Sequence, residues 1–269
     1  MNRYGLILVL LVLAFSVSCV DQEPAKPTKE IRPETELPED SGLVDEVPGE
    51  IEAEPTPDER PEPEPVPTPV DKPREITKVN PALMNPSLAK ERAPSKFRVK
   101  FDTTKGSFTV EVDRSWAPRG ADRFYNLVKI GFFQDIALFR VLDGFVAQFG
   151  ISGDPKISEK WKESNIKDEP VVMSNTRGFM TYAKGGPDTR STQFFINLAD
   201  NVNLDQMGFP PFGKVVEGMA VVDSFYSGYG EGAPRGRGPS QGLMQSQGNK
   251  YLSSQFPKLD YIKGASLLD

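Results

Sequence analysis

Phe139-Arg140-Val141-Leu142-Asp143-Gly144-Phe145-Val146-Ala147-Gln148-Phe149-Gly150 reads as strand, turn, strand. Val141 and Leu142 suit an extended backbone. Asp143-Gly144 is a strong tight-turn signal, and apolar residues resume directly after it. Inside this apolar run stand one cation, Arg140, and one amide, Gln148. Burying a guanidinium is costly unless something requires it. The remaining sequence can be read as delivering, framing or anchoring that arginine and the aromatic residues around it.

Working outward, Phe97 to Asp102 and Ser107 to Val112 both alternate, with Thr104-Lys105-Gly106 between them, which predicts a hairpin. Pro118 opens a helical pattern with Ala121, Phe124, Leu127 and Val128 on one face, closed by Gly131. Residues 151–177 are polar and read as irregular. Further strands are expected at Gly178–Ala183, Gln193–Leu198 and Pro211–Val216, with a short helix from Gly218 to Phe225. Lys184 to Thr189 reads as a loop. Phe194 alternates away from Phe195 and is expected in the core. A Gly-rich extension starts near Gly228, followed by a helix around Leu243 to Phe256 and a closing strand at Asp260–Ala265. Many short strands with few helices point to a mainly β barrel or sandwich.

Composition narrows the chemistry. The 269 residues contain no histidine and one cysteine, Cys19. Ser-His-Asp and Cys-His nucleophilic catalysis are thereby excluded, as are zinc sites built on His or Cys and any internal disulfide. A carboxylate metal site would still be possible, but no Asp-x-Asp-x-Asp-Gly loop occurs. No Gly-x-x-x-x-Gly-Lys-Ser/Thr phosphate loop occurs either. The available chemistry is that of arginine, carboxylates, amides, hydroxyls and shape.

The N-terminal third belongs to a different regime. Arg3 and the apolar run Leu6 to Val17 suit an export signal better than a membrane span, which needs about 20 apolar residues. Cys19 at its end resembles the lipidation site of bacterial lipoproteins, although Ser16 stands where that motif prefers Leu. An ordinary signal with an incidental cysteine is the plainer alternative. Residues 20–95 hold 16 of the 25 prolines, no aromatic residue, and 19 acidic against 9 basic residues. Such a segment cannot bury enough apolar surface to offset its ordering entropy, so a disordered linker with polyproline-II bias is expected. Fully extended at roughly 3.1 Å per residue, it would hold a domain up to about 230 Å from its anchor. The chain's net charge is −6, and the acidic linker leaves residues 96–269 at about +3. A nearly neutral domain argues against nucleic acid as a partner.

The residues from 97 to about 226 resemble the cyclophilins. The likeness is carried by Phe139 to Gln148, Gly178-Phe179-Met180 with Ala183, Gly186-Pro187-Asp188-Thr189, Thr192 to Ile196, Leu204-Asp205, and Phe212-Gly213-Lys214-Val215. Several separated motifs in the right order make this far more specific than one short match. The resemblance implies a closed eight-stranded antiparallel barrel capped by two helices. It also implies peptidyl-prolyl cis-trans isomerase activity on proline-containing polypeptides, without a cofactor or metal.

An X-Pro bond rotates over a barrier of about 18–20 kcal/mol set by C–N resonance. No nucleophile or proton transfer is needed, only preference for the twisted amide over both planar forms. The prolyl nitrogen gains a lone pair as the bond twists, and a fixed donor aimed at it stabilises that state selectively. By the resemblance, Arg140 is that donor, acting by hydrogen bonding. Gln148 holds the arginine or binds the substrate carbonyl. Phe145, Val146, Phe195 and Leu204 line an apolar socket for the ring, with Phe209 on its rim. Ala183, Lys184 and Gln193 flank the residues before proline.

Some positions depart from the family pattern. Phe139 stands where His is frequent, Phe149 where Gly is frequent, Asn203 where many members carry Trp, Lys184 where Asn is common, and Phe209 in place of a His. Asn203 and Lys184 lead to an expectation of weak binding of the family's cyclic-peptide inhibitors. The expected whole is a monomeric isomerase domain over 96–269, exported and tethered to the bacterial cell envelope through lipid on Cys19, and serving the folding of exported proteins. Two other readings stay open: a proline-segment binding module with little turnover, and an envelope spacer whose working part is the tether.

Overall fold

A computed structural model describes residues 79–268. The expectations for the export segment, for Cys19 and for the linker as far as residue 78 lie outside the described residues.

The packed body begins earlier than the expected boundary at residue 95. Asn80 and Asn85 each cap a 3-10 turn, Pro81–Leu83 and Pro86–Leu88, by accepting from the backbone N–H two residues on. Ala82, Leu83 and Ala93 are buried in the main core. Trp161 Nε1 donates to the Leu83 carbonyl at 2.9 Å. The Asn126 side chain accepts from Glu91 N at 3.0 Å and donates to Glu91 O at 2.7 Å. Proline-rich composition hid this segment, because an Asn-Pro pair also starts a tight turn.

Strand β1 (Lys96–Thr103) and strand β2 (Gly106–Asp113) form the expected hairpin, with Phe101 opposite Phe108 and their rings stacked at 4.8 Å. Helix α1 (Pro118–Lys129) follows, with proline at its first position, where a missing N–H costs nothing. Ala121, Phe124, Leu127 and Val128 are all buried. Next come β3 (Ile136–Ala137), β4 (Arg140–Leu142) and β5 (Val146–Phe149). Helix α2 (Pro155–Trp161) occupies the stretch expected to be irregular. Its signal was Asp154, whose carboxylate accepts from Lys156 N at 2.8 Å, with Pro155 directly after it. The chain continues through β6 (Phe179–Tyr182), β7 (Phe194–Asn197), α3 (Asn203–Gln206), β8 (Pro211–Glu217) and α4 (Met219–Asp223).

The helix expected around Leu243 to Phe256 is two helices, α5 (Gln241–Gln247) and α6 (Asn249–Gln255), broken at Gly248. Gly248 has φ +59°, and a Cβ there would lie 2.0 Å from Gly153 O. Only glycine allows that approach, so the helix cannot continue through it. Strand β9 (Tyr261–Leu268) completes the fold, three residues longer than the expected closing strand at its C-terminal end.

The sheet order is β3-β9-β1-β2-β8-β6-β7-β5-β4, nine strands rather than eight. The extra strand, β3, is two residues long, too short to show a period in the sequence. The sheet curls until its two edge strands are successive in the chain, yet β3 and β4 are not hydrogen-bonded to each other. The barrel is therefore open. Leu138, in the two-residue link, gives its N–H to Asp260 O at 2.9 Å on the β9 side. Among the six α-helices described, α1 is the longest.

Inside the curl sits an aromatic core that includes Phe101, Phe124, Phe133, Phe149, Phe194 and Phe212. The extension after Gly228 packs through its own apolar cluster, in which Met244, Leu252 and Leu259 meet Phe139 and Ile151. Through β9 it also pairs with β1 and β3.

Candidate active site

Alternation along the strands separates the site from the core. In β5, Ala147 and Phe149 belong to the main core, so Val146 and Gln148 point to the other face. In β7, Phe194 and Ile196 are core and Phe195 points out. Register then aligns the outward residues: Arg140 pairs with Gln148, and Gln148 pairs with Phe195. One row across three strands thus carries a cation, an amide and an aromatic ring. The turn holds this alignment, with Phe145 N donating to Leu142 O at 2.9 Å and Gly144 at φ +69°.

A separate apolar cluster lies on this face. Val146, Phe195 and Leu204 are buried in it, and Phe145, Ala183 and Phe209 pack against them. Phe195 and Phe209 meet edge to face at 5.9 Å. These six residues, with Arg140, Gln148 and Lys184, line a cavity of about 400 Å³. Gln193 does not line it; its side chain lies behind Gln148 and bonds to it. Leu204 is placed by α3, which is tied down through Asp205. The Asp205 carboxylate accepts from Asn175 N and Nδ2 and from Ser174 Oγ. Against the upward push of burial, those bonds hold the Asp205 pKa below its ordinary value.

The polar wall is a continuous chain. Arg140 Nη1 donates to Gln148 Oε1 at 3.1 Å, Gln148 Nε2 to Gln193 Oε1 at 3.0 Å, and Gln193 Nε2 to Gln241 Oε1 at 3.1 Å. Every bond runs in the same direction, an arrangement in which neighbouring dipoles reinforce one another. On its other side Arg140 donates from Nε and Nη2 to the two carboxylate oxygens of Glu231, at 2.7 and 2.8 Å. The Arg140 guanidinium carbon also lies 5.7 Å from the Phe145 ring centroid. A guanidinium has five N–H donors. Three are committed here, which leaves one N–H each on Nη1 and Nη2.

Lys184 does not float free at the rim. Its Nζ donates to Asp168 Oδ2 at 3.0 Å and sits 5.4 Å from the Phe209 ring centroid. Burial pushes the Asp168 carboxyl up, but the Lys184 bond, the Asp188 N–H and the nearby Arg190 hold it below its ordinary value. Arg190, fully buried, bonds to Glu169 and stacks over Tyr182, supporting the loop from beneath. Burial drives the Tyr182 hydroxyl pKa far upward, so it stays protonated and donates to Gly120 O at 2.9 Å.

Several residues at the cavity were not anticipated from the sequence. Phe139, Met207, Glu231, Pro234, Arg235 and Pro239 all line it, and Gln241 closes the amide row. Phe139 lay in plain view within the opening stretch. Glu231 had one signal, a single carboxylate set among glycines at 228, 230, 232, 236 and 238. Among the described residues, no group of three or more metal-ligating side chains converges.

Comparison with known proteins finds one recurring family. A family model described as cyclophilin type peptidyl-prolyl cis-trans isomerase/CLD matches residues 98–239. A peptidyl-prolyl cis-trans isomerase of Acinetobacter baylyi is 36% identical over 131 residues, covering 46% of this chain and 69% of that protein. Peptidyl-prolyl cis-trans isomerase A of Dickeya dadantii is 33% identical over 155 residues, covering 55% of this chain and 79% of that protein. A solved cyclophilin type isomerase of Cryptosporidium parvum aligns at 21% identity with a TM-score of 0.49, over 65% of this chain and 98% of that one.

Proposed function

The chain belongs to the cyclophilin-type peptidyl-prolyl cis-trans isomerase family, and on that premise we propose that it accelerates X-Pro bond rotation with Arg140 as the donor to the prolyl nitrogen. One observation carries the reading: a partly buried guanidinium with two N–H groups left uncommitted lines the same cavity as a discrete apolar cluster. A proline ring seated on Val146, Phe195 and Leu204 gives up its apolar surface to water-free contact. Its amide nitrogen then lies on the side of Arg140. Twisting concentrates a lone pair on that nitrogen, and a donor fixed in advance favours the twisted state over either planar form. Gln148 accepts one bond from the guanidinium and passes the hydrogen-bonded row on to Gln193.

The biological setting belongs to the same proposal. The apolar run Leu6 to Val17 followed by Cys19 supports export and lipid attachment, with the acidic Pro-rich segment as spacer. The enzyme would then serve the folding of exported proteins at the envelope of a bacterial cell. A Cys19→Ser chain should leave the membrane fraction; retention there would remove the lipid anchor from the account.

The test of the activity is exchange spectroscopy by NMR on an X-Pro peptide with the full chain. Catalysed cis-trans exchange is expected. A peptide that binds without accelerated exchange would replace the proposal with a binding-only module.

A further inference from the structure

We infer that Glu231, contributed by the loop that opens the C-terminal extension, is a positioning residue that clamps Arg140 in its working orientation. The inference rests on Arg140 being the donor, as proposed above. The contact is a two-point one: both carboxylate oxygens meet the Nε–Nη2 edge of the guanidinium, at 2.7 and 2.8 Å. Charge-assisted bidentate pairing of this kind fixes the plane and the rotation of an arginine as well as its position. Gln148 alone, through one bond to Nη1, would leave the group free to swing about that bond.

The loop is built to present this carboxylate. Glu231 O accepts from Gly238 N at 2.9 Å, and Glu231 Oε1 accepts from Gly232 N at 2.9 Å. A Cβ on Gly236 would lie 2.2 Å from Glu231 O, so the loop can wrap this closely only around glycine. Ser227 Oγ donates to Asp143 Oδ2 at 2.9 Å, which ties the loop to the turn of the hairpin that carries Arg140. Loop and hairpin are thus joined by a second side-chain contact besides the ion pair itself.

The alternative for such a contact is a latch that blocks the arginine. Two features argue for a clamp. The pairing is side-on and leaves two N–H groups free, and a cavity of about 400 Å³ remains with the loop in place as its wall. Gln241, from the same extension, ends the amide row on the far side. The extension therefore supports both ends of the polar wall.

The experiment is a mutant cycle in the full chain, read as kcat and KM on an X-Pro peptide, with circular dichroism to confirm folding. Glu231→Ala and the near-isosteric Glu231→Gln should each lower kcat by roughly 10-fold or more, within the range that about 1 Å of misplacement costs, with KM little changed. In an Arg140→Ala background the same changes should have no further effect, because nothing is left to position. An unchanged or raised rate in folded Glu231→Gln would overturn the clamp, the raised rate in favour of a latch. An equal loss in the Arg140→Ala background would also overturn it, in favour of a general structural role. If Arg140→Ala alone leaves the rate intact, it is the donor assignment that falls, and the clamp falls with it.

Discussion

Arg140 and Glu231 are 91 residues apart in the chain, yet Nε and Nη2 of the one lie 2.7 and 2.8 Å from the two carboxylate oxygens of the other. The pair joins the central hairpin to the C-terminal extension. It also makes the arginine's environment depend on pH.

Glu231 is held below its ordinary value of 4.5, first by the Arg140 hydrogen bond, with Gly232 N–H and the charges of Arg140 and Arg235 in support and burial opposing. A depressed carboxylate contributes its pairing above the unfolded value and loses it as pH falls through the folded one. The rate should therefore be flat from neutrality down to about pH 5 and decline only below the ordinary carboxylate range. A kcat–pH profile checks this: folded Glu231→Gln should lack that acid limb, and an identical limb in the variant would assign it to another group.

The Phe145 ring and the Arg140 cation are 5.7 Å apart at the mouth of the cavity. At such a partly exposed site the contact is worth about 0.5–1 kcal/mol. Phe145→Leu keeps apolar bulk and removes the ring face. It should lower kcat/KM by about 2–5-fold with little change in melting temperature, as a parallel activity and thermal-melt comparison would record.

Leu83 and Ala93 fill the core from outside the sheet, and Trp161 Nε1 bonds to Leu83 O at 2.9 Å. A chain starting at residue 96 should therefore be less stable than one starting at 79. Leu83→Ala alone should cost about 2–3 kcal/mol, near the lower end for a buried leucine. Urea unfolding of the two lengths and of the point variant tests this, and equal midpoints would return residues 79–95 to the linker.

Gly150 has φ +108°, and a Cβ there would lie 2.1 Å from Thr192 O, next to Gln193. Gly150→Ala must push apart the backbones that place Gln148 and Gln193. Backbone strain of this type costs about 1–3 kcal/mol before any clash is counted. A lowered melting temperature with a reduced rate is expected. Wild-type values for both would mean that the β5 end carries no such constraint.

Much of this was legible in the sequence, for reasons specific to each element. The alternation Phe194-Phe195 placed one ring in the core and the other outside, because the strand period is two whatever the tertiary context. Asp143-Gly144 gave the turn, and the turn fixed Arg140 opposite Gln148. The Pro118 to Gly131 pattern gave α1. What was missed depended on distant contacts. Residues 79–95 show no helical or strand period, and their backbone is held by Asn126 and Trp161 from far along the chain. The break at Gly248 follows from the approach of Gly153 O, nearly a hundred positions earlier. Closure at eight strands was carried over from the resemblance, and the two-residue β3 is where the molecule departs from it. Glu231 had one local signal, its place among glycines, but nothing local points it at Arg140; only the folded loop brings the two together.

The most direct measurement is the isomerisation rate of an X-Pro peptide with the full chain carrying Arg140→Ala, against wild type, by NMR exchange or a protease-coupled assay. With the fold intact by circular dichroism, the account predicts a loss of about 10²–10³-fold, the scale of removing one aligned donor. A folded Arg140→Ala chain that isomerises the peptide at the wild-type rate would contradict it.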